Sequence, residues 1–323
     1  MFSYRAFLFL GVAFLVFAIT ANEPVRASFA NGPLTLVVPF PAGGRADIAA
    51  RNVAEGLAKF LGAPVNVVNR TGAGGVIAAK YVAEAAPDGH TMLITSAAIL
   101  SAQYTLASST KLSDYKVVGL VENTPPVLAV PYSAPWKTLR ELVAAAKGDA
   151  GSLTIGSVPG ATAQLVAAGF LEAAGIQMTN VPFKGDADAI AALAGSHIHA
   201  NTSGFSGLRS LVDAKKVRVL AVAAPERQTM LPDVPTFKEQ DVEFVSGLFL
   251  AIFVPNKVPD HIVAALEDAL KSTMHNEQIV EKMKNVGLGP TFLGRTDSEK
   301  FLQREDEMYL RLIKKLGLLR RSD

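Results

Sequence analysis

The chain has 323 residues, 50% of them hydrophobic, with 31 lysines and arginines against 29 aspartates and glutamates and no cysteine. A net charge of +2 gives no electrostatic reason to bind nucleic acid, and the apolar fraction supports a packed core rather than disorder. Without cysteine there is no disulfide, thiolate metal site, iron–sulfur cluster, cysteine nucleophile or lipidated cysteine.

The first distinctive segment is the uncharged run Ala6 to Thr20, which follows Arg5. It is shorter than the roughly 20 residues a membrane-spanning helix needs and fits the apolar region of a secretory signal peptide. Small-residue cleavage sites follow at Ala21 and Ala27. Residues 1–27 are therefore expected to be a cleaved signal peptide, and the mature chain to be exported to the periplasm without a lipid tether.

From Leu34 onward, short aliphatic runs alternate with alanine-rich helical patterns, the mark of an α/β protein with largely parallel sheet. Strands are expected at 34–38, 65–68, 91–94, 117–122 and 127–130, with helices at 47–60 and 76–85. A capping box at Thr138 and Glu141 starts a helix to Lys147. Strands at 153–155, 198–201 and 217–222 then alternate with helices at 162–174, 186–194 and 208–214. A long buried strand is expected over Phe244 to Val254. Three amphipathic helices, at 260–274, 278–286 and 298–316, finish the chain, the last with a capping box at Thr296–Glu299. Two α/β lobes follow from this order: 28–130 plus 223–323 as lobe 1 and 131–222 as lobe 2, with the chain crossing between them near Val130 and near Ala223.

Most of the candidate motifs fail on inspection. Gly72-Ala73-Gly74-Gly75 follows a strand and opens a helix, but Ile77 stands where a dinucleotide-binding turn wants glycine or alanine, and no phosphate-loop Gly-Lys-Ser/Thr occurs. Gly204-Phe205-Ser206-Gly207 has its glycine one position early for a nucleophile elbow. His197 and His199 share one face of an expected strand, with no third ligand suggested by spacing. No cofactor and no metal are expected.

Two turns fare better. Pro39 to Asp47 joins the first strand to the first helix through Gly43 and Gly44, and Gly156 to Thr162 repeats the arrangement in the second lobe. Glycines let backbone approach a ligand closely, and the free amides of a helix start suit a carboxylate. Facing each other across a cleft, such turns would hold the two ends of a small acid.

Val38-Pro39-Phe40-Pro41-Ala42-Gly43-Gly44 with Asp47, Val68 to Gly75, Ala86 to Thr91, Val181 to Gly185 and Leu231 to Thr236 resemble, in order, the serial signatures of the Bug family, the extracytoplasmic solute receptors of tripartite tricarboxylate transporters. The resemblance implies a periplasmic-binding-protein fold of type II kind: two α/β lobes closing on a carboxylated solute, which is handed to a membrane permease without catalysis. Carried over by position, it implies ligand contacts from Pro41, Ala42, Gly43, Gly44 and Asp47, from Ser96, from Ser157, Gly160, Ala161 and Thr162, and from Lys184, Thr202 and Ser203.

Three positions, Ala46, His199 and Asp186, depart from the family pattern. Ala46 replaces a usual Thr or Ser, Arg45 beside it offers a charge, His199 replaces a usual acid, and Asp186 falls where glycine is common, so an atypical ligand preference is expected. The chain is expected to act as a monomer with permease subunits as partners. A ligand-sensing partner of a membrane signalling kinase and an exported hydrolase using Ser206 are the alternatives.

Overall fold

The computed structural model describes residues 31–107, 109–158 and 162–320; the expected leader and the turn positions Gly160 and Ala161 lie outside them. The chain opens with β1 (Leu34–Val38), α1 (Arg45–Leu61), β2 (Val65–Asn69), α2 (Val76–Ala83), β3 (Thr91–Thr95) and α3 (Ala98–Thr105). Next come β4 (Tyr115–Thr124), β5 (Pro126–Pro131), α4 (Leu139–Gly148), β6 (Thr154–Ser157), α5 (Thr162–Ala174), β7 (Thr179–Pro182), α6 (Asp186–Ala194), β8 (Ala200–Gly204), α7 (Phe205–Asp213) and β9 (Val217–Val222). The remainder is β10 (Leu248–Pro255), α8 (Asp260–Met274), α9 (Glu277–Asn285), β11 (Pro290–Leu293) and α10 (Arg295–Lys315).

These strands build two sheets, ordered β11-β4-β10-β3-β1-β2 and β7-β6-β8-β5-β9. Successive side chains of a strand point to opposite faces, and the core divides accordingly. In the first sheet, Leu36, Val38, Met92 and Ile94 pack beneath α1, α8 and α9, while Val37 and Leu93 pack on the other face with α2, α3 and α10. In the second, Leu128 and Val130 meet α4 and α5, while Val127 and Ala129 meet the face that carries α6 and α7.

The sheets are mixed rather than largely parallel. β1 runs parallel to β2 and β3, and β6 to β7 and β8, but β10 is antiparallel to both β3 and β4, and β5 is antiparallel to both β8 and β9. The reason lies in the connectivity: β4 carries the chain out of the first sheet and β10 brings it back beside β4. A segment that leaves and re-enters as neighbouring strands must run in opposite directions. The outward passage falls at Pro125, ahead of Val130, because β5 already pairs in the second sheet. On the return, Ala223, Phe237, Val242 and Phe244 still pack in the second core, so β10 begins only at Leu248 instead of Phe244.

The Thr138–Glu141 capping box forms as expected. That at Thr296–Glu299 does not: α10 starts earlier, behind Gly294, and Glu299 is turned to the Arg295 guanidinium at 3.1 Å. Ser298 is instead buried, donating to Leu293 O at 2.9 Å and accepting from Leu120 N at 3.1 Å, which ties the helix to β4. Three elements had no sequence signal strong enough to expect them, α3, β7 and β11, all short. Among the described residues no helix is long and apolar enough to cross a membrane.

One buried group in α10 stands out energetically. Glu305 is 7% exposed, its Oε2 has no hydrogen-bond partner, and burial pushes its carboxyl up to about 7 against the opposing pull of Arg304. A carboxyl raised above its ordinary value keeps its proton in the folded state, so folding stability falls as pH rises from about 4.5 through about 7. Glu305→Gln is expected to raise the unfolding free energy by roughly 2 kcal/mol near pH 8 and to give little gain near pH 5. Urea unfolding at the two pH values checks this.

Candidate functional site

The turn after β1 is held by Asp47. Gly43 takes the left-handed conformation at φ 79°, which glycine alone adopts freely, and its amide donates to Asp47 Oδ2 at 2.9 Å. Arg51 donates to both carboxylate oxygens, at 3.0 and 2.9 Å, and Asn69 donates to Oδ1 at 2.9 Å and to Phe40 O at 3.0 Å. Asp47 is 2% exposed, and the Arg51 hydrogen bond, helped by Gly43 and Asn69, lowers its carboxyl to about 2 in spite of burial. Both oxygens are spent inside the protein. Gly44, by contrast, has an ordinary φ of −79°, and a Cβ there would meet nothing closer than Pro41 O at 3.4 Å, so the conformational need for glycine belongs to Gly43.

Arg45, the first residue of α1, turns away from Asp47. Its Nε donates to Glu122 Oε1 at 3.0 Å, and its Nη2 donates to Leu248 O at 2.6 Å while lying 2.9 Å from the same carboxylate oxygen. Glu122 is fully buried in β4, and its Oε1 also accepts from Thr124 at 3.0 Å.

Beside this pair a cleft of about 220 Å3 opens between the two sheets. From the first sheet's side it is lined by Arg45, by Ser96 and Ala97, and by Leu248 and Phe249. From the other it is lined by Pro126, Thr162, Ala163, Val166, Asp186 and the run Thr202-Ser203-Gly204. Ser96 follows β3, Thr202 to Gly204 end β8, and Thr162 and Asp186 open α5 and α6. Carboxyl ends of strands and amino ends of helices thus converge, where open α/β sheets bind their ligands. Thr202 is 2% exposed and its Oγ1 has no partner. A buried hydroxyl left unpaired is costly unless something else fills its bond.

Of the positions singled out in the sequence, the cleft brings together Ser96, Thr162, Thr202 and Ser203. Pro41, Ala42, Gly43 and Gly44 form an exposed turn that does not line it, and Lys184 is exposed outside it. Ser157 is buried, its hydroxyl donating to Asn180 Oδ1 at 2.7 Å. His199 bonds Thr154 through Nδ1 at 2.9 Å, a contact between strand starts that accounts for it without a metal. Ser206 lines a separate pocket with Thr124, Met230 and Gly287, away from the cleft. Leu248 and Phe249 escaped sequence reading because an apolar strand residue carries no local sign of facing a ligand. Asp186 did carry one, as a charge where glycine is common in the family, and so did Arg45, as a charge beside the departing Ala46.

Two α/β lobes with a polar cleft at their strand ends define a solute-binding protein. This chain belongs to the tripartite tricarboxylate transporter family receptors (TctC), which it matches over residues 49–318. The UPF0065 protein in the gbd 5' region of Cupriavidus necator is 31% identical over 323 residues, covering 97% of this chain and 96% of that protein. A TctC solute-binding protein from Polaromonas superposes with a TM-score of 0.82 at 26% identity, over 88% of this chain and 99% of that one. An R. palustris protein solved with adipate superposes with a TM-score of 0.72 at 27% identity, over 89% and 98%.

Asp47 generates a prediction about the turn. Its carboxyl is depressed from 3.8 to about 2, so its contribution is present above the ordinary value and is lost as pH falls towards 2. Arg51 is half exposed, and solvent screening holds that contribution to about 1–2 kcal/mol. Asp47→Asn is expected to lower unfolding free energy by about this much at neutral pH and to flatten its decline between about pH 4 and 2. Denaturant titrations across that interval measure both effects.

Proposed function

We infer that this chain is a periplasmic receptor that captures a small carboxylate by closure of its two lobes and delivers it to the permease of a tripartite tricarboxylate transporter. The observation that carries this is the cleft itself: Ser96 from one lobe faces Thr162, Thr202 and Ser203 from the other, with the Thr202 hydroxyl buried and unpartnered. Hydroxyls and helix-start amides suit carboxylate oxygens, and a related protein has been solved with the dicarboxylate adipate. Receptors of this family are extracytoplasmic, and the leader at residues 1–27 would direct this one to the periplasm, where it would act as a monomer.

Among the described residues, 126–158 and 162–244 would make up lobe 2, and 31–107, 109–125 and 245–320 lobe 1, as the two sheets and the core around Phe237 and Phe244 suggest. A ligand touching both lobes favours the closed arrangement of such a pair. At about 100 times its dissociation constant it adds roughly 2.7 kcal/mol to stability.

A thermal-shift screen of small organic acids tests this, and at least one carboxylate should raise the melting temperature where sugars do not. Thr202→Val separates binding from folding. Removing an unpaired buried hydroxyl should leave the ligand-free melting temperature unchanged or higher, while carboxylate affinity falls by roughly tenfold. Unchanged affinity in that variant places the ligand elsewhere.

A further inference from the structure

The charges of the cleft do not suit a ligand with two carboxylates. Among the described residues its single lining cation, Arg45, already faces the buried carboxylate of Glu122 and a backbone carbonyl. Lys184, the other basic residue near the second-lobe turns, stays outside. What remains is Asp186, an exposed residue of the cleft lining that, among the described residues, has neither a hydrogen bond nor an ion pair. With Arg45 balanced by Glu122, the lining leaves one negative charge facing the solute.

An acidic residue in the first turn of a helix is favoured by the helix dipole, and Asp188 supplies such a charge in the same turn of α6. That preference does not explain why Asp186 lies in the cleft while Asp188 does not. A second, independent sign that the same cleft is built for a polar solute is Thr202, nine-tenths buried with an unpartnered hydroxyl on the same wall.

We propose that the solute carries a cationic amine as well as its carboxylate, with Asp186 receiving the ammonium: an aminocarboxylate rather than a dicarboxylate. This rests on the carboxylate-receptor reading above and narrows it. The hydroxyls of Thr202 and Ser96 hold the carboxylate, and Asp186 at the start of α6 holds the other end. A dicarboxylate would set its second charge against Asp186 with no free cation among the described lining residues to answer it. Specificity then comes from a repulsive element as much as from an attractive one.

Calorimetric titration with matched acids tests this: butyrate, 2-aminobutyrate, 4-aminobutyrate and succinate, then 6-aminohexanoate and adipate. At one chain length or the other, an aminocarboxylate should bind at least about tenfold tighter than its dicarboxylate partner, the scale of a charge-assisted hydrogen bond. Asp186→Asn should erase most of that ratio, Asp186→Gly should also strengthen dicarboxylate binding, and Asp188→Asn should leave selectivity unchanged. Dicarboxylates binding the unaltered protein as tightly as aminocarboxylates, or a ratio that survives Asp186→Asn, overturns the inference and leaves the carboxylate receptor standing. If none of the six acids binds, the receptor reading falls and the inference falls with it.

Discussion

A carboxylate buried in the middle of a sheet must be paired, because an unpaired charge there costs several kcal/mol. Glu122 is such a group, and Arg45 answers it across the boundary between β4 and the first turn of α1. The pair fixes three things at once. It anchors the amino end of α1 to the strand that leads out of the lobe, it holds Arg45 against Leu248 where β10 returns, and it occupies the one cationic side chain among the described residues of the cleft lining. The pairing of Arg45 thus answers an internal structural need, and it leaves Asp186 as the charged lining residue without an ionic partner among the described residues.

Two passages of chain join the lobes, at Thr124-Pro125-Pro126 and on the approach to Leu248, and both run beside this pair. The lobes also touch through α10, whose Arg311 and Lys315 reach Glu172 of α5 at 3.1 and 3.3 Å. Leu165 of α5 packs in the core beneath α10, so the helix that ends the described chain belongs to one lobe and leans on the other. The amino end of that same α5 carries Thr162 into the cleft. Any change in the lobe arrangement therefore moves Thr162 relative to Ser96 on the opposite wall of the cleft.

The expected elements at 34–38, 162–174, 186–194, 217–222 and 260–274 coincide with strands or helices of the structure, because each buries a face whose period is written in consecutive residues. The capping box at Thr138 was legible for the same local reason, and the one at Thr296 misled because Ser298 was drawn into the interior by Leu120 and Leu293. In the site, the glycine turn after β1 was legible as a turn, but what holds it was not. Asp47 looked like a ligand contact and proves to be the clasp of its own turn, through partners 4 and 22 positions away. Asp186 looked like an isolated oddity and proves to line the cleft with Arg45.

The residues alone determined that this is an α/β chain of two interleaved halves with glycine turns at strand ends, since periodicity, caps and turn chemistry act over a few neighbouring positions. Only the tertiary structure decided which strand and helix ends meet in the cleft, that the sheets are mixed, and that Arg45 is paired with Glu122 while Asp186 has no ionic partner among the described residues. Those outcomes depend on pairings between β4, α1 and β10 and between β8, α5 and α6, and long-range pairing is not encoded in any local pattern.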